Sequence, residues 1–241
     1  ELEPEYTNSF ELNYIKSWTQ HMVSLSAYVR TSDNMISHIS FMGESSITPG
    51  EQTMYQSHAN VGKQVNSGCE IVVKNNLFNR VLDLTTTANL YNNHISAWST
   101  IYPMDGVDYK ISGARQNSFA WDIRCMASVR MPWGLSFQAT GRYNSRTFTA
   151  QGTREPGWDI EAGIRKTAGN WSFSLNCRDI FNSRRMHNFT YGDGYSQEDK
   201  RWRSGRTLRL TIKYSFGNMK SRKNALLNDQ EPIDASGYGG D

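Results

Sequence analysis

Between Thr207 and Phe216 every second residue is apolar: Leu208, Leu210, Ile212, Tyr214 and Phe216 alternate with Thr207, Arg209, Thr211, Lys213 and Ser215. Successive side chains of a strand point to opposite faces, so this stretch has one face for an apolar medium and one for water. Trp171 to Cys177 repeats the pattern, with Trp171, Phe173, Leu175 and Cys177 opposed by Ser172, Ser174 and Asn176. A soluble sandwich also alternates. A strand of about ten residues with an aromatic end, answered by many others, fits a transmembrane barrel better.

Nine strands are expected, at 5–17, 21–42, 53–74, 79–97, 115–131, 134–149, 155–167, 170–182 and 200–216. Their connections alternate in length. Short turns fall at Trp18 to Gln20, Asn75 to Phe78, Pro132 to Gly134 and Thr167 to Gly169; longer segments fall at Gly43 to Gln52, Trp98 to Ala114, Ala150 to Arg154 and Ser183 to Lys200. In an up-and-down meander alternate connections share a rim, so the short turns gather at one end and the loops at the other. That is the asymmetry of outer-membrane barrels, with periplasmic turns and extracellular loops. Trp18, Trp133, Trp171, Tyr214 and Phe216 fall at the turn rim, and Trp121, Trp158 and Trp202 toward the loop rim. With a tilt near 40°, Trp121 and Trp133 stand about 30 Å apart along the barrel axis, the thickness of a bilayer's hydrocarbon.

The totals agree without deciding. No run of about 18 apolar residues offers a transmembrane helix. A mean hydropathy of -0.64 is what a barrel with a polar lumen and polar loops gives. The net charge of +3 is small and its cations are scattered, which excludes a basic groove for nucleic acid. Cys69, Cys125 and Cys177 lie far apart on the apolar parity of their strands, as small hydrophobes rather than disulfide or zinc partners. The five histidines, His21, His38, His58, His94 and His187, stand in no metal-binding spacing. No Ser, His and carboxylate set converges in sequence, so neither an enzyme nor a cofactor is expected. Mixed aromatics and acids in the longest loops suit sugars or peptides: Trp98, Tyr102, Asp105, Asp108 and Tyr109, with Tyr191, Asp193 and Tyr195. Residues 1–217 read as one barrel domain, and 218–241, without periodicity, as a disordered periplasmic tail.

The last third carries a resemblance. Asp179, Ile180, Phe181, Asn182, then Tyr191, Gly192, Asp193, Gly194, then Trp202, Arg203, Ser204, and Tyr214, Ser215, Phe216, Gly217 together resemble the C-terminus of TonB-dependent-receptor-type outer-membrane β-barrel proteins of Bacteroidetes. The segment Pro4 to Leu12 resembles a mid-barrel strand of the same family. The resemblance implies an all-β, antiparallel transmembrane barrel of 22 strands, of which these nine or so are the last. It also implies an N-terminal plug, a TonB-type energy transducer acting through that plug, outer-membrane lipid around the wall, and uptake of a small nutrient such as a glycan, peptide or metal complex. Nothing here looks like the plug, and the chain opens at Glu1 without an initiating Met, which reads as a processed product or part of something longer. The alternatives are a small porin or structural barrel, and a soluble β-sandwich binding module.

Overall fold

Alternation this long cannot be satisfied by isolated hairpins, because each strand needs a neighbour on both sides to pair its backbone. A computed structural model describes residues 2–202 and 205–216 and supplies those neighbours in a single nine-stranded sheet. Numbering strands in chain order, its members are β1 (Tyr6–Ser17), β2 (His21–Asp33), β5 (Lys63–Leu77), β6 (Leu82–Ile95), β9 (Gln116–Met131), β10 (Leu135–Asn144), β13 (Gly157–Ala168), β14 (Trp171–Arg178) and β17 (Thr207–Tyr214). They lie side by side in that order and every pairing is antiparallel. Each of the nine expected strands supplies one strand of this wall, with its parity intact.

Register carries the two faces from strand to strand. Tyr14, Leu25, Ile71, Ala88, Ile123, Tyr143 and Trp158 are successive cross-strand partners. So are Leu84, Ala127, Ala139, Ala162, Cys177 and Leu208. The interleaved rows are polar: Asn13, Ser26, Glu70, Asn89, Asp122 and Asn144 form one. Because side-chain period is two, a slip of one residue would exchange these rows wholesale, so the pattern pins the register. The apolar face stays open, with Phe10 74% and Leu210 66% exposed. Among the described residues no second sheet covers it, which is what a sandwich would require.

The turn rim is tight. Trp18 donates its backbone N–H to His21 O at 2.7 Å, and Pro132, Trp133 and Gly134 make a single 3-10 turn in which Trp133 and Gly134 both take positive φ. A Cβ on Gly134 would sit 2.6 Å from Thr167 O, so glycine is required by approach as well as by φ. Trp18, Trp133, Trp171 and Phe216 are all exposed at this rim. Trp171 and Tyr214, partners across β14 and β17, pack with ring centres 4.6 Å apart.

At the other rim the structure differs from the sequence reading. The longer connections are hairpins: β3 (Ile36–Glu44) with β4 (Gln52–Asn60), β7 (Trp98–Met104) with β8 (Val107–Gly113), β11 (Thr147–Thr149) with β12 (Gly152–Arg154), and β15 (Arg185–Gly192) with β16 (Tyr195–Trp202). The strands expected at 21–42 and 53–74 break at the same level, where Asn34 and Gly62 take left-handed φ of 55° and 44°. Met35 N–H to Gly62 O and Val61 N–H to Met35 O bridge the break, so the hairpin bends away from the wall without losing its pairing. The span 200–216 divides likewise into the end of β16 and the start of β17 at Thr207. Alternation continues through a bend, so a periodicity reading runs across it. The expected tail, 218–241, and Arg203, Ser204 and Gly217 of the resemblance motifs lie outside the described residues.

The face assignment is testable by charge. Ile123→Arg or Leu210→Arg should lower unfolding free energy in lipid by about 2–4 kcal/mol near the midplane, whereas Ser128→Arg or Thr211→Arg should change it little. Urea titrations in lipid vesicles, followed by tryptophan fluorescence, measure the difference; equal losses on both parities would reverse the assignment.

Candidate functional site

Hairpins at the loop rim need somewhere to bury their apolar faces, and they do it against one another. Met35, Ile39, Phe41, Ala59, Val61, Ile95, Trp98, Ile111 and Ala150 form one buried cluster, drawn from the β2–β3 and β4–β5 joints, β3, β4, the end of β6, β7, β8 and the β11–β12 connection. Ile39 and Val61 have no exposed surface at all. This is the principal apolar core among the described residues, and it lies above the wall rather than within it.

Phe41 is its centre. Tyr55, Tyr102 and Tyr109 surround it, with ring centres 5.7, 5.4 and 5.0 Å away. Ser57 donates to Tyr102 Oη at 2.8 Å, tying β4 to β7. Trp98 lies against Gly113, where a Cβ would collide with the indole, and its Nε1 donates to Ala150 O at 3.3 Å. The fourth hairpin joins through Ser40. Gln151 accepts from Ser40 N–H at 2.7 Å and donates to Ser40 O at 3.1 Å, and Tyr195 Oη donates to the same carbonyl at 2.6 Å. The free edge of β3 is thus closed by two side chains from distant segments, which leaves no buried backbone group of Ser40 orphaned. Burial first, and then the negative charge of Asp193, push the Tyr195 phenol above its usual range, against the pull of its bond to Ser40. The phenol therefore remains a donor at neutral pH.

Of the residues that sequence suggested for ligand contact, Tyr102, Tyr109 and Tyr195 converge on β3 and Trp98 packs beside Gly113 in the same cluster. Asp105, with φ 53°, and Gly106 form the tip of β7–β8, and Asp193 and Gly194 the tip of β15–β16. Asp105, Asp108 and Asp193 are exposed. Tyr191 is exposed too and stacks on Phe189 at 6.5 Å. The eight positions do not form one pocket; they divide into a packed inner set and a solvated outer set on the same platform. Ser40 and Gln151 were not legible as partners, since 111 residues separate them and neither breaks the alternation.

Below the platform the polar face of the wall is cross-linked. Arg142 reaches Asp159 at 2.9 Å and Glu161 at 2.6 Å. Tyr28 donates to Asn89 at 3.0 Å, and Asn89 in turn to Asp122 at 3.2 Å. Asp179, 1% exposed, is a turn device: its carboxylate accepts from Ser183 N–H, Ser183 Oγ and Arg184 N–H at 2.8, 3.2 and 3.1 Å. Arg206 Nε donates to Ile180 O at 2.9 Å, so the Asp179 to Asn182 motif sets where β14 ends and β17 begins. These are the interactions of a wetted wall and a structural turn, and no group of three or more His, Cys, Asp or Glu side chains among the described residues could hold a metal.

The model of the outer membrane protein beta-barrel family matches residues 1–214. No curated protein matches the chain, and no solved structure does.

Two outcomes follow from the platform's construction. Gln151→Ala leaves the buried Ser40 N–H without its side-chain acceptor and Ser40 O with Tyr195 alone, at about 1–3 kcal/mol for the unpaired group. Protease cleavage within β3–β4 should accelerate, and Tyr195→Phe should do so less because one donor remains. The second concerns acid. Lys200 first, and His187 next, hold the exposed Glu198 carboxyl below its usual range. A depressed carboxyl contributes fully above its unfolded pKa, and the contribution is lost as pH falls through the lower folded one. Amide exchange in β15–β16 should therefore quicken only below about pH 4, and Glu198→Gln should raise the neutral-pH rate and flatten that response.

Proposed function

Because this chain belongs to the outer membrane protein beta-barrel family, we propose that it forms part of the wall of an outer-membrane receptor that takes up a small nutrient by a TonB-dependent route. It is an outer-membrane barrel protein; the receptor reading rests on the open sheet. Nine consecutive antiparallel strands leave β1 and β17 running in the same direction at opposite edges, and every described residue of both strands is exposed. Single-chain bacterial barrels have even strand numbers, and an unpaired edge in hydrocarbon costs several kcal/mol per orphaned group. The wall therefore calls for more strands between β17 and β1. In the receptor these come from the same polypeptide, with a plug through which the energy transducer pulls.

The orientation that suits this function puts the tight turns in the periplasm and the hairpin platform outside the cell. The platform then meets the nutrient first, through its solvated set: Asp105, Asp108, Tyr191 and Asp193, backed by Trp98, Tyr102, Tyr109 and Tyr195. A glycan or peptide suits such a surface, by stacking and hydrogen bonding. The chemistry is binding and passage, with neither an active site nor a cofactor.

Reconstitution of residues 1–241 in liposomes separates the receptor from a small porin. The expected outcome is aggregation or ill-defined leakage, since neither edge has its partner. A heat-resistant monomer with one discrete conductance would overturn the receptor reading in favour of the porin. In the complete protein, Tyr191→Ala combined with Asp193→Ala should weaken uptake while leaving the heat-modifiable band on gels unchanged.

A further inference from the structure

His38 and His58 are direct cross-strand partners in the β3–β4 hairpin, and their Nε2 atoms lie 3.2 Å apart. The contact is a hydrogen bond, one ring donating to the other according to tautomer. The ring centres are 4.0 Å apart with the planes 45° to each other. Both nitrogens therefore lie within reach of one point, where an ion could take the place of the shared proton. An atom at that point, about 2.0–2.1 Å from each nitrogen, would subtend an angle of about 100° across the 3.2 Å gap. That angle falls between the square-planar and tetrahedral values.

We propose that His38 and His58 form a two-imidazole site for a divalent first-row transition-metal ion, with water completing its coordination. The scaffold is stiff. Ile39, next to His38, and Ala59, next to His58, are both in the buried cluster, so the opposite face of the hairpin is locked while the imidazoles stand exposed. Paired ligands held in place by a packed hairpin lose little freedom on binding. His58 also lines an open groove with Glu3, Ser57, Asn60, Thr100 and Tyr102, which gives the ion and its waters room. Imidazole suits Cu2+, Ni2+ and Zn2+, and the usual order of affinities puts Cu2+ first. Sequence spacing could not disclose the site, because its two ligands are 20 residues apart and only the hairpin register brings them together. The inference is independent of what the barrel transports.

The test uses the complete protein extracted from the outer membrane in detergent, titrated with Cu2+. The expected result is saturation at one ion per chain, with two-nitrogen superhyperfine structure in the electron paramagnetic resonance spectrum. His38→Gln and His58→Gln should each abolish that signature and weaken binding about tenfold or more, as loss of even an outer partner can, while His21→Gln leaves both unchanged. In the unaltered protein, Zn2+ should slow protease cleavage of β3–β4 by bracing its strands, a readout that needs no variant. Absence of saturable binding, or a two-nitrogen signal that survives in both variants, would overturn the proposal and leave the pair as a histidine contact only.

Discussion

Hydrocarbon offers no partner to a peptide group, and the wall follows from that. Each of its inner strands is paired on both sides, so the backbone is satisfied laterally and the side chains are free to divide between lipid and water. Alternation is thus a consequence of the pairing. One exception falls where the medium changes: Lys166, on the apolar parity of β13 but close to the turn rim, reaches Trp133 O. A long cation at that depth can extend to the interface instead of remaining in lipid.

Above the bilayer the same chain meets water, and its energetics change character. The wall has an apolar face that solvent lipid covers, so it needs no core of its own. The platform cannot rely on lipid and builds a soluble-type core around Phe41, with Trp98 and Ile111 beneath it. The left-handed residues Asn34 and Gly62 mark the joint between the two regimes. One strand pair crosses it continuously, so motion of the platform is coupled to β2 and β5 through backbone hydrogen bonds.

What could be read in the sequence is what depends on nearest neighbours. Leu208 to Phe216 announces a strand, and Pro132 to Gly134 announces a turn, because φ preference and period two act over a few residues. The number of wall strands, their faces and the short rim were accessible in this way. The platform was not. An aromatic in a polar loop gives the same local signal whether it waits for a sugar or, like Tyr102 and Tyr109, packs on Phe41. Which of these it does is decided by β3, folded back from 60 residues and more away, and by Gln151, whose partners are set by tertiary contact alone.

The concentration of the platform's contacts near its base leaves its extremities structurally idle. The tip glycines Gly50, Gly106 and Gly194 all have open space around them, in contrast to Gly113, Gly152 and Gly192, which are crowded by neighbours. Sequence at the tips is therefore released from packing constraint while the core that carries them stays fixed. A surface organised in this way can drift in sequence without loss of the barrel. For the same reason it can accept an insertion at any of those three tips.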